Sequence, residues 1–123
     1  LEQTNMSIVF VEGPADEDVC DHLRHALDSL PMTNTDRLHW VTQPDLPLVT
    51  GLLAQARAYI GNDSGISHLA GAIGCRGVAI FGPTNPVHWR PLGTQVRVLD
   101  GSDDLQIPTA EDAARAVIDA LNG

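Results

Sequence analysis

The sequence predicts an α/β fold in which helices cover both faces of a Rossmann-like parallel sheet, giving three layers. Short apolar segments alternate with segments of helical periodicity along the chain, and this alternation is typical of doubly wound sheets. Three predicted strands end near a glycine (Gly13, Gly61 and Gly82), which predicts a ligand site at the carboxyl edge. The chain has 123 residues, 43% hydrophobic and 19% charged, which favours one globular domain over residues 1–123.

The first third of the chain predicts two strands separated by one helix. Met6–Val11 is an apolar run closed by Gly13-Pro14, as expected of a buried strand, and Arg37–Val41 is a second, weaker strand. Acidic residues crowd the start of a helix predicted over about residues 15–30, where the helix dipole favours them. The apolar stripe predicted to bury this helix consists of Val19, Leu23, Ala26, Leu27 and Leu30.

The middle of the chain predicts a helix, a strand and a second helix. Pro47 suits the first turn of a helix, because proline lacks the amide that would be unbonded there. Ala58–Ile60 is predicted as a short strand and Gly61–Gly65 as a tight turn. The next helix ends at Gly74, a favoured C-terminal cap. The buried face of the helix that begins near Pro47 is predicted to be Leu48, Val49, Leu52, Leu53 and Ala56.

The last third predicts two more strands and a final helix. Gly77–Phe81 is fully apolar, and Val96–Leu99 is the last strand, with a proline-rich loop between them. Thr109 and Asp112 have the spacing of a capping box, in which each side chain bonds the other residue's amide. The face of this helix predicted to be buried consists of Ala114, Val117, Ile118 and Leu121.

The charge balance restricts the ligands that the chain can bind. The net charge is −9, with seven arginines and no lysine, so nucleic acid is not expected as a partner. An anionic ligand must therefore be held locally, by backbone amides, a helix terminus or a single cation. The missing lysine also excludes a P-loop lysine and Schiff-base chemistry within these residues. Cys20 and Cys75 have no metal-ligand spacing and are predicted to be reduced and buried.

The turn Gly61–Gly65 carries the strongest indication of function. A strand ends there, the chain turns sharply, and Asp63 or Ser64 caps the helix that follows. The first amides of a helix lack partners within it, and a glycine among them lets a diphosphate approach closely. The alternative is that these residues only cap the helix. The amides expected to be open are those of Gly65, Ile66 and Ser67.

His68 lies one turn further along the same helix, within reach of a ligand on the helix start. The alternative for His68 is a structural, partly buried histidine. A serine hydrolase would also use Asp63, Ser64 and a histidine, but its nucleophile turn requires glycine where this chain has Asn62. We therefore exclude that chemistry and keep a diphosphate-binding site, most simply for a nucleotide sugar.

Two further segments are candidates for contacts with the ligand. After the strand that ends at Phe81, Gly82 forces a tight turn, and Thr84 and Asn85 can offer a hydroxyl and an amide. The alternative is an ordinary proline-rich connection. Near the start of the chain, the acidic pair Asp16 and Glu17 follows Gly13-Pro14 at the end of the first strand. Its carboxylates can bond a ribose or base, unless they are plain helix-start acids.

The two glycine-rich segments together resemble a known family. Asp63–Ala70, Gly74, Ala79–Pro86 and Pro91–Gly93 are similar to blocks of the C-terminal domain of glycosyltransferase family 9, the ADP-heptose:lipopolysaccharide heptosyltransferases. The resemblance covers roughly residues 7–93, and both blocks occur in the expected order at the expected separation.

The resemblance implies an inverting glycosyltransferase of the GT-B type, with two Rossmann-like lobes facing each other. The C-terminal lobe would hold the nucleotide-sugar donor, and the N-terminal lobe would hold a glycan or lipid-linked acceptor and supply the general base. By the same resemblance, the amides after Asp63 hold the diphosphate, Asp63 contacts the sugar and His68 supports the phosphates. No metal or other cofactor is implied. The implied location is the cytoplasm, with peripheral contact at the inner membrane through the parent protein.

The chain departs from the family pattern in two ways. The first strand of the family's domain, with its basic loop, has no counterpart, because residues 1–5 are too few to supply it. The N-terminal lobe has no counterpart either, so no catalytic residue is assigned here, and we expect one inactive lobe of a larger enzyme. A non-catalytic nucleotide-sugar-binding module and a nucleotide-sugar epimerase remain alternatives.

The missing strand would lie between Met6–Val11 and Ala58–Ile60. Unpaired apolar strand edges recruit other chains. We therefore expect direct pairing of these two strands, pairing across a homodimer, or a strand supplied by the parent chain.

Overall fold

The computed structural model describes residues 5–31, 34–101 and 108–123. The chain forms two compact units, the first ending at Leu46 and the second spanning Pro47–Gly123. Each unit has its own helices and its own parallel strands, and each is described by itself. The expectation of a single domain remains a prediction.

The first unit is a parallel βαβ arrangement. Strand β1 (Ile8–Glu12) is followed by helix α1 (Glu17–Asp28), a short 3-10 turn (Thr35–Arg37) and strand β2 (Leu38–Thr42). The two strands pair in parallel from their first to their last residues, Ile8 opposite Leu38 and Glu12 opposite Thr42. The sequence predicted both strands within two residues, but it did not predict the 3-10 turn.

The packing of α1 differs from the sequence prediction. None of its residues is buried, and Val19 of the predicted stripe is 71% exposed. A polar and aromatic cluster joins this helix to the sheet instead. The Arg24 guanidinium is 2.5 Å from the buried Glu12 carboxylate and lies 4.3 Å from the Trp40 ring centroid. Trp40 in turn stacks on Phe10. A sheet of only two strands is too narrow to cover the whole apolar stripe, so the contact falls on the longer side chains.

The second unit contains three parallel strands, in the order β3-β4-β5. The register places Asn62 opposite Ile80, and Ile80 opposite Leu99. The second unit's elements, in chain order, are α2 (Leu46–Gln55, which begins at the unit boundary), β3 (Tyr59–Asn62), α3 (Gly65–Ala72), β4 (Gly77–Phe81), α4 (Pro86–Trp89), β5 (Val96–Asp100) and α5 (Ala110–Asn122). The four-residue helix α4 lies in what the sequence predicted to be a loop.

The core of the second unit forms around β4. Residues from α2, α3, β4 and β5 meet there, and the buried thiol of Cys75 belongs to the same cluster, as predicted. Cys20 of the first unit, also predicted to be buried, is only partly buried, because it lies on α1, which buries none of its residues. Helix α5 packs on β4 through Ala113 and Ala116, whereas Ile118 of the predicted face is 56% exposed. The prediction was therefore wrong by one residue around the helix.

The parallel α/β class predicted from the sequence is confirmed. Gly61 is the second-to-last residue of β3 and Gly82 directly follows β4, so both are at the carboxyl ends of neighbouring parallel strands, as predicted. The described strands form two hydrogen-bonded sheets, β1-β2 and β3-β4-β5, so direct pairing of β1 with β3 is not observed among them. Pairing across a homodimer and a strand from a longer chain stay predictions. In the ranges described, we find no helix with the length and apolar character that a membrane span requires.

Candidate functional site

The turn between β3 and α3 is fixed to the end of β4. The amide of Asp63 donates to the carbonyl of Ile80 over 3.0 Å, one residue after the last register pair of these strands. The glycine that follows β4, Gly82, is therefore at the same edge as the turn. This is the carboxyl edge, where open α/β sheets bind ligands.

Three consecutive amides at this turn have no hydrogen-bond partner among the described residues: those of Ser64, Gly65 and Ile66. The Ser64 carbonyl accepts from the Ser67 amide at 3.1 Å and from the His68 amide at 3.3 Å, so α3 begins directly behind it. The side chain of Ser64 makes no capping bond to these amides. The set of open amides is thus shifted one residue from the predicted set, because the Ser67 amide is bonded and the Ser64 amide is not.

The surroundings of these amides are open to a ligand. A Cβ placed at Gly65 would meet no atom within 4 Å, and Gly65 is exposed. Asp63 is half-buried beside the amides, and His68 is exposed one helical turn later. His68 is therefore not part of the described core of the second unit, and its role at the site stays a prediction. An anion at this position would meet unpaired N–H donors and the positive end of the α3 dipole.

The segment after β4 supplies only part of what the sequence suggested. Gly82 is exposed with open space where a side chain would lie, and Thr84 is half-buried. The side chain of Asn85, however, accepts from the Val87 amide at 2.8 Å and caps α4. The side-chain oxygen of Asn85 thus accepts one hydrogen bond within the chain, and this bond does not use its NH2 group.

Gly13 and Glu17, the other predicted contacts, lie in the first unit. Gly13 directly follows β1, and its amide donates to the Asp16 carboxylate at 2.9 Å. The Asp16 amide donates back to the Gly13 carbonyl at 3.1 Å, so the two residues close a tight turn. Glu17 is the exposed first residue of α1. Within the first unit the structure places both predicted residues at the carboxyl end of β1.

A second pair of glycines, Gly71 and Gly93, lets the loop Pro91–Gly93 approach α3 closely. The sequence prediction missed this contact. A Cβ at Gly71 would overlap the Leu92 carbonyl oxygen, and a Cβ at Gly93 would lie 2.7 Å from the Gly71 carbonyl oxygen. Gly93 also has a φ of 95°, which favours glycine. The signal in the sequence was a glycine on the apolar face of a helix, where alanine would otherwise be preferred.

The prediction also missed the contact between the side chains of Tyr59 and Ser67. The Tyr59 hydroxyl is 3.0 Å from the Ser67 hydroxyl, and the side chain of Ser67 is fully buried. Burial raises the pKa of the Tyr59 phenol, and its hydrogen bonds with Ser67 and Ser64 partly offset this shift. Ser67 shares the buried face of α3 with Ala70, and a serine at such a position was the available signal.

A separate hollow of about 490 Å³ lies between β5 and α5 and contains none of the predicted site residues. It is lined largely by charged side chains, and Arg97 and Asp119 pair across it at 3.3 Å. The hollow thus shares no lining residue with the turn between β3 and α3.

A family model and several known proteins are similar to this chain. The family model described as glycosyltransferase family 9 (heptosyltransferase) matches residues 1–114. The chain is 41% identical over 64 residues to lipooligosaccharide heptosyltransferase 2 of Haemophilus ducreyi, which is 48% of this chain and 18% of that protein. It is 25% identical over 117 residues to lipopolysaccharide heptosyltransferase 3 of Escherichia coli K12, which is 94% of this chain and 33% of that protein.

A solved structure has the same fold. The glycosyl transferase family 9 protein from Veillonella parvula superimposes with a TM-score of 0.72 at 20% identity, over 94% of this chain and 36% of that chain. The chain thus spans about a third or less of the length of these proteins. Because the family model covers nearly all of the sequence, this chain belongs to glycosyltransferase family 9.

Proposed function

We propose that this chain is the nucleotide-sugar-binding lobe of an inverting glycosyltransferase that acts in the synthesis of lipopolysaccharide or another glycan. The observation that carries the proposal is the open start of α3, where the amides of Ser64, Gly65 and Ile66 are unbonded among the described residues. In a chain with a net charge of −9, such a local group of donors is a favourable place for a diphosphate.

The proposed roles follow from where each group lies. The three amides bind the diphosphate of the donor, and Asp63 at the edge of the turn contacts the sugar. His68, exposed one turn along α3, supports the phosphates. Gly82 and Thr84 follow β4 in the same unit. For the first unit by itself, a contact of Gly13 and Glu17 with a ribose or base stays a prediction from the sequence. When the bond between the sugar and the diphosphate breaks, negative charge grows on the leaving diphosphate, and the amides stabilise it.

The remaining parts of the reaction are assigned to the rest of the enzyme. A second lobe binds the glycan or lipid-linked acceptor and provides the general base that takes the acceptor's proton. We place the enzyme in the cytoplasm, at the inner membrane through its acceptor-binding part. The donor is proposed to be an ADP-heptose-like nucleotide sugar, in line with the names of the similar proteins.

Calorimetric titration with ADP, GDP and UDP tests this function on the wild-type protein and two variants. Asp63→Ala and His68→Ala should each weaken binding of the preferred nucleoside diphosphate by about tenfold, the effect of one lost charged or polar contact. His88→Ala is the matched control, because His88 is also an exposed histidine near a helix end but belongs to α4.

Thermal unfolding of each variant shows whether the fold is kept. A wild-type protein that binds none of the three nucleotides would contradict the proposal. So would Asp63 and His68 variants that lose stability without losing affinity. Binding without sugar transfer by the protein in its native length would favour the non-catalytic alternative.

A further inference from the structure

Behind the open amides, a chain of hydrogen bonds joins strand β3 to the first turn of α3. The Ser67 hydroxyl donates to the Asn62 carbonyl at 2.5 Å, and the Tyr59 hydroxyl is 3.0 Å from the same Ser67 oxygen. Ser67 has a single hydroxyl proton, which it gives to Asn62, so Tyr59 must donate its own proton to Ser67. The direction of both bonds is therefore fixed.

The peptide unit between Asn62 and Asp63 is held at both of its polar ends. Its carbonyl accepts from Ser67, and its amide, that of Asp63, donates to the Ile80 carbonyl at 3.0 Å. A peptide unit is planar, so two bonds on opposite sides leave it little freedom to rotate. The three open amides follow directly after this fixed peptide unit.

The backbone around Tyr59 is shaped to admit its side chain. A Cβ at Gly61 would overlap the Tyr59 hydroxyl, so glycine at this position makes room for the phenol. A Cβ at Gly77 of the neighbouring strand would lie 2.5 Å from the Tyr59 carbonyl oxygen. The packing of the Tyr59 side chain thus explains why residue 61 is glycine, and this explanation does not depend on any ligand.

We infer that Tyr59 and Ser67 are positioning residues of the diphosphate site, which hold the Asn62–Asp63 peptide so that the amides of residues 64–66 converge on the ligand. The inference rests on the function proposed above. Neither side chain needs to touch the donor, because Ser67 is fully buried and acts through the carbonyl of Asn62. Preorganised donors of this kind bind an anion without the cost of ordering them at the moment of binding.

The test compares diphosphate affinity with nucleoside affinity in the protein at its native length. Tyr59→Phe keeps the ring and removes the hydroxyl, and Ser67→Ala removes the donor to Asn62. We expect Tyr59→Phe to weaken the preferred nucleoside diphosphate (ADP, GDP or UDP) about fivefold and Ser67→Ala about tenfold, with the parent nucleoside unaffected. The double variant should be no weaker than Ser67→Ala alone, because both act through one chain of bonds.

Thr109→Ala is the matched control, since it removes a hydroxyl that caps α5 and should leave both affinities unchanged. Hydrogen exchange of the Asp63 amide gives a readout without ligand, and should be faster in Tyr59→Phe than in Thr109→Ala. Tyr59→Phe keeps the test decisive if Ser67→Ala does not fold.

Variants that bind the nucleoside diphosphate like the wild type, or that lose nucleoside and diphosphate affinity equally, would overturn this inference alone. A wild-type protein that binds no nucleoside diphosphate would overturn both the inference and the proposed function.

Discussion

Helices α3 and α5 of the second unit begin with similar residues but are completed in different ways. The N-cap of α3 is Ser64 and that of α5 is Thr109, both hydroxyl residues in extended conformation. At α5, the Thr109 hydroxyl accepts from the Asp112 amide at 3.1 Å, and the Asp112 carboxylate accepts from the Thr109 amide at 2.9 Å. At α3, the N-cap side chain makes no such bond, and consecutive amides remain open.

The difference lies in the third residue of each helix. In α5 it is Asp112, an exposed acid that returns to the N-cap amide and completes a capping box. In α3 it is Ser67, which is buried and bonds to Tyr59 and to the Asn62 carbonyl instead. The start of α5 is therefore hydrogen-bonded within the helix. The start of α3 is bonded to β3 instead, and three of its amides have no partner among the described residues. In these two helices the N-cap residue alone does not distinguish a closed helix start from an open one, whereas the residue three positions later does.

The largest expected effect comes from placing an acid at the first residue of each helix. Gly65→Glu should reduce affinity for the preferred nucleoside diphosphate by about 100-fold, because its carboxylate competes for the open amides and repels the phosphates. The fold should be kept, since a Cβ at Gly65 meets nothing within 4 Å. Titration calorimetry measures the change.

The control is Ala110→Glu, which puts the same acid at the exposed first position of α5. We expect unchanged affinity and equal or slightly higher stability, because an acid in the first turn interacts favourably with the helix dipole. Equal loss of affinity in both variants would mean that net charge, and not the open α3 start, controls binding.

How much of this contrast the sequence could predict depends on how local each feature is. The turn and its candidate residues Asp63 to His68 were placed correctly because glycine and capping residues act within a few positions of the chain. The capping box of α5 was predicted for the same reason and is confirmed. Helix α4 also had a local signal, Asn85 followed by Pro86, which is a favoured N-cap and first residue, and it was overlooked.

Features that depend on partners far along the chain were predicted poorly. The buried face of α5 was displaced by one residue, because apolar periodicity does not say which small residues will lie against β4. The exposed stripe of α1 shows the same limit, since periodicity cannot tell how wide a sheet the helix will meet. The bond between Tyr59 and Ser67 joins a strand to a helix through one hydroxyl, and no periodicity encodes such a contact.

A smaller effect is expected near the C-terminal end of α3, where Gly71 packs against the loop at Leu92. Helix α5, in contrast, is stabilised by the capping box at its N-terminus. Gly71→Ala should lower the free energy of unfolding by about 1–3 kcal/mol, because its Cβ overlaps the Leu92 carbonyl oxygen and the loop must move. Urea denaturation gives the difference.

The matched substitution is Gly51→Ala in α2, where a Cβ meets nothing within 4 Å. It should raise stability by about 0.5–1 kcal/mol through helix propensity. If Gly71→Ala were also stabilising, the close approach of the loop to α3 would be refuted.

The smallest expected effect is a pH dependence found at the start of α5 and not at that of α3. The hydrogen bonds from the Thr109 amide and then from its hydroxyl lower the pKa of Asp112, because they favour the charged carboxylate. A carboxyl whose pKa is lower in the folded state stabilises the protein above its unfolded pKa of about 3.9, and this stabilisation is lost as the pH falls through the folded value. Asp112→Asn should therefore be less stable than the wild type at pH 6, and the difference should shrink as the pH falls below about 4.

Replacing Ser67, the equivalent residue of α3, by Ala should give a stability difference that is the same at pH 6 and pH 3, because the hydroxyl does not titrate in this range. Urea denaturation at pH 6 and pH 3 measures both differences, and an Asp112→Asn difference that is constant with pH would show that the carboxylate does not hold the cap.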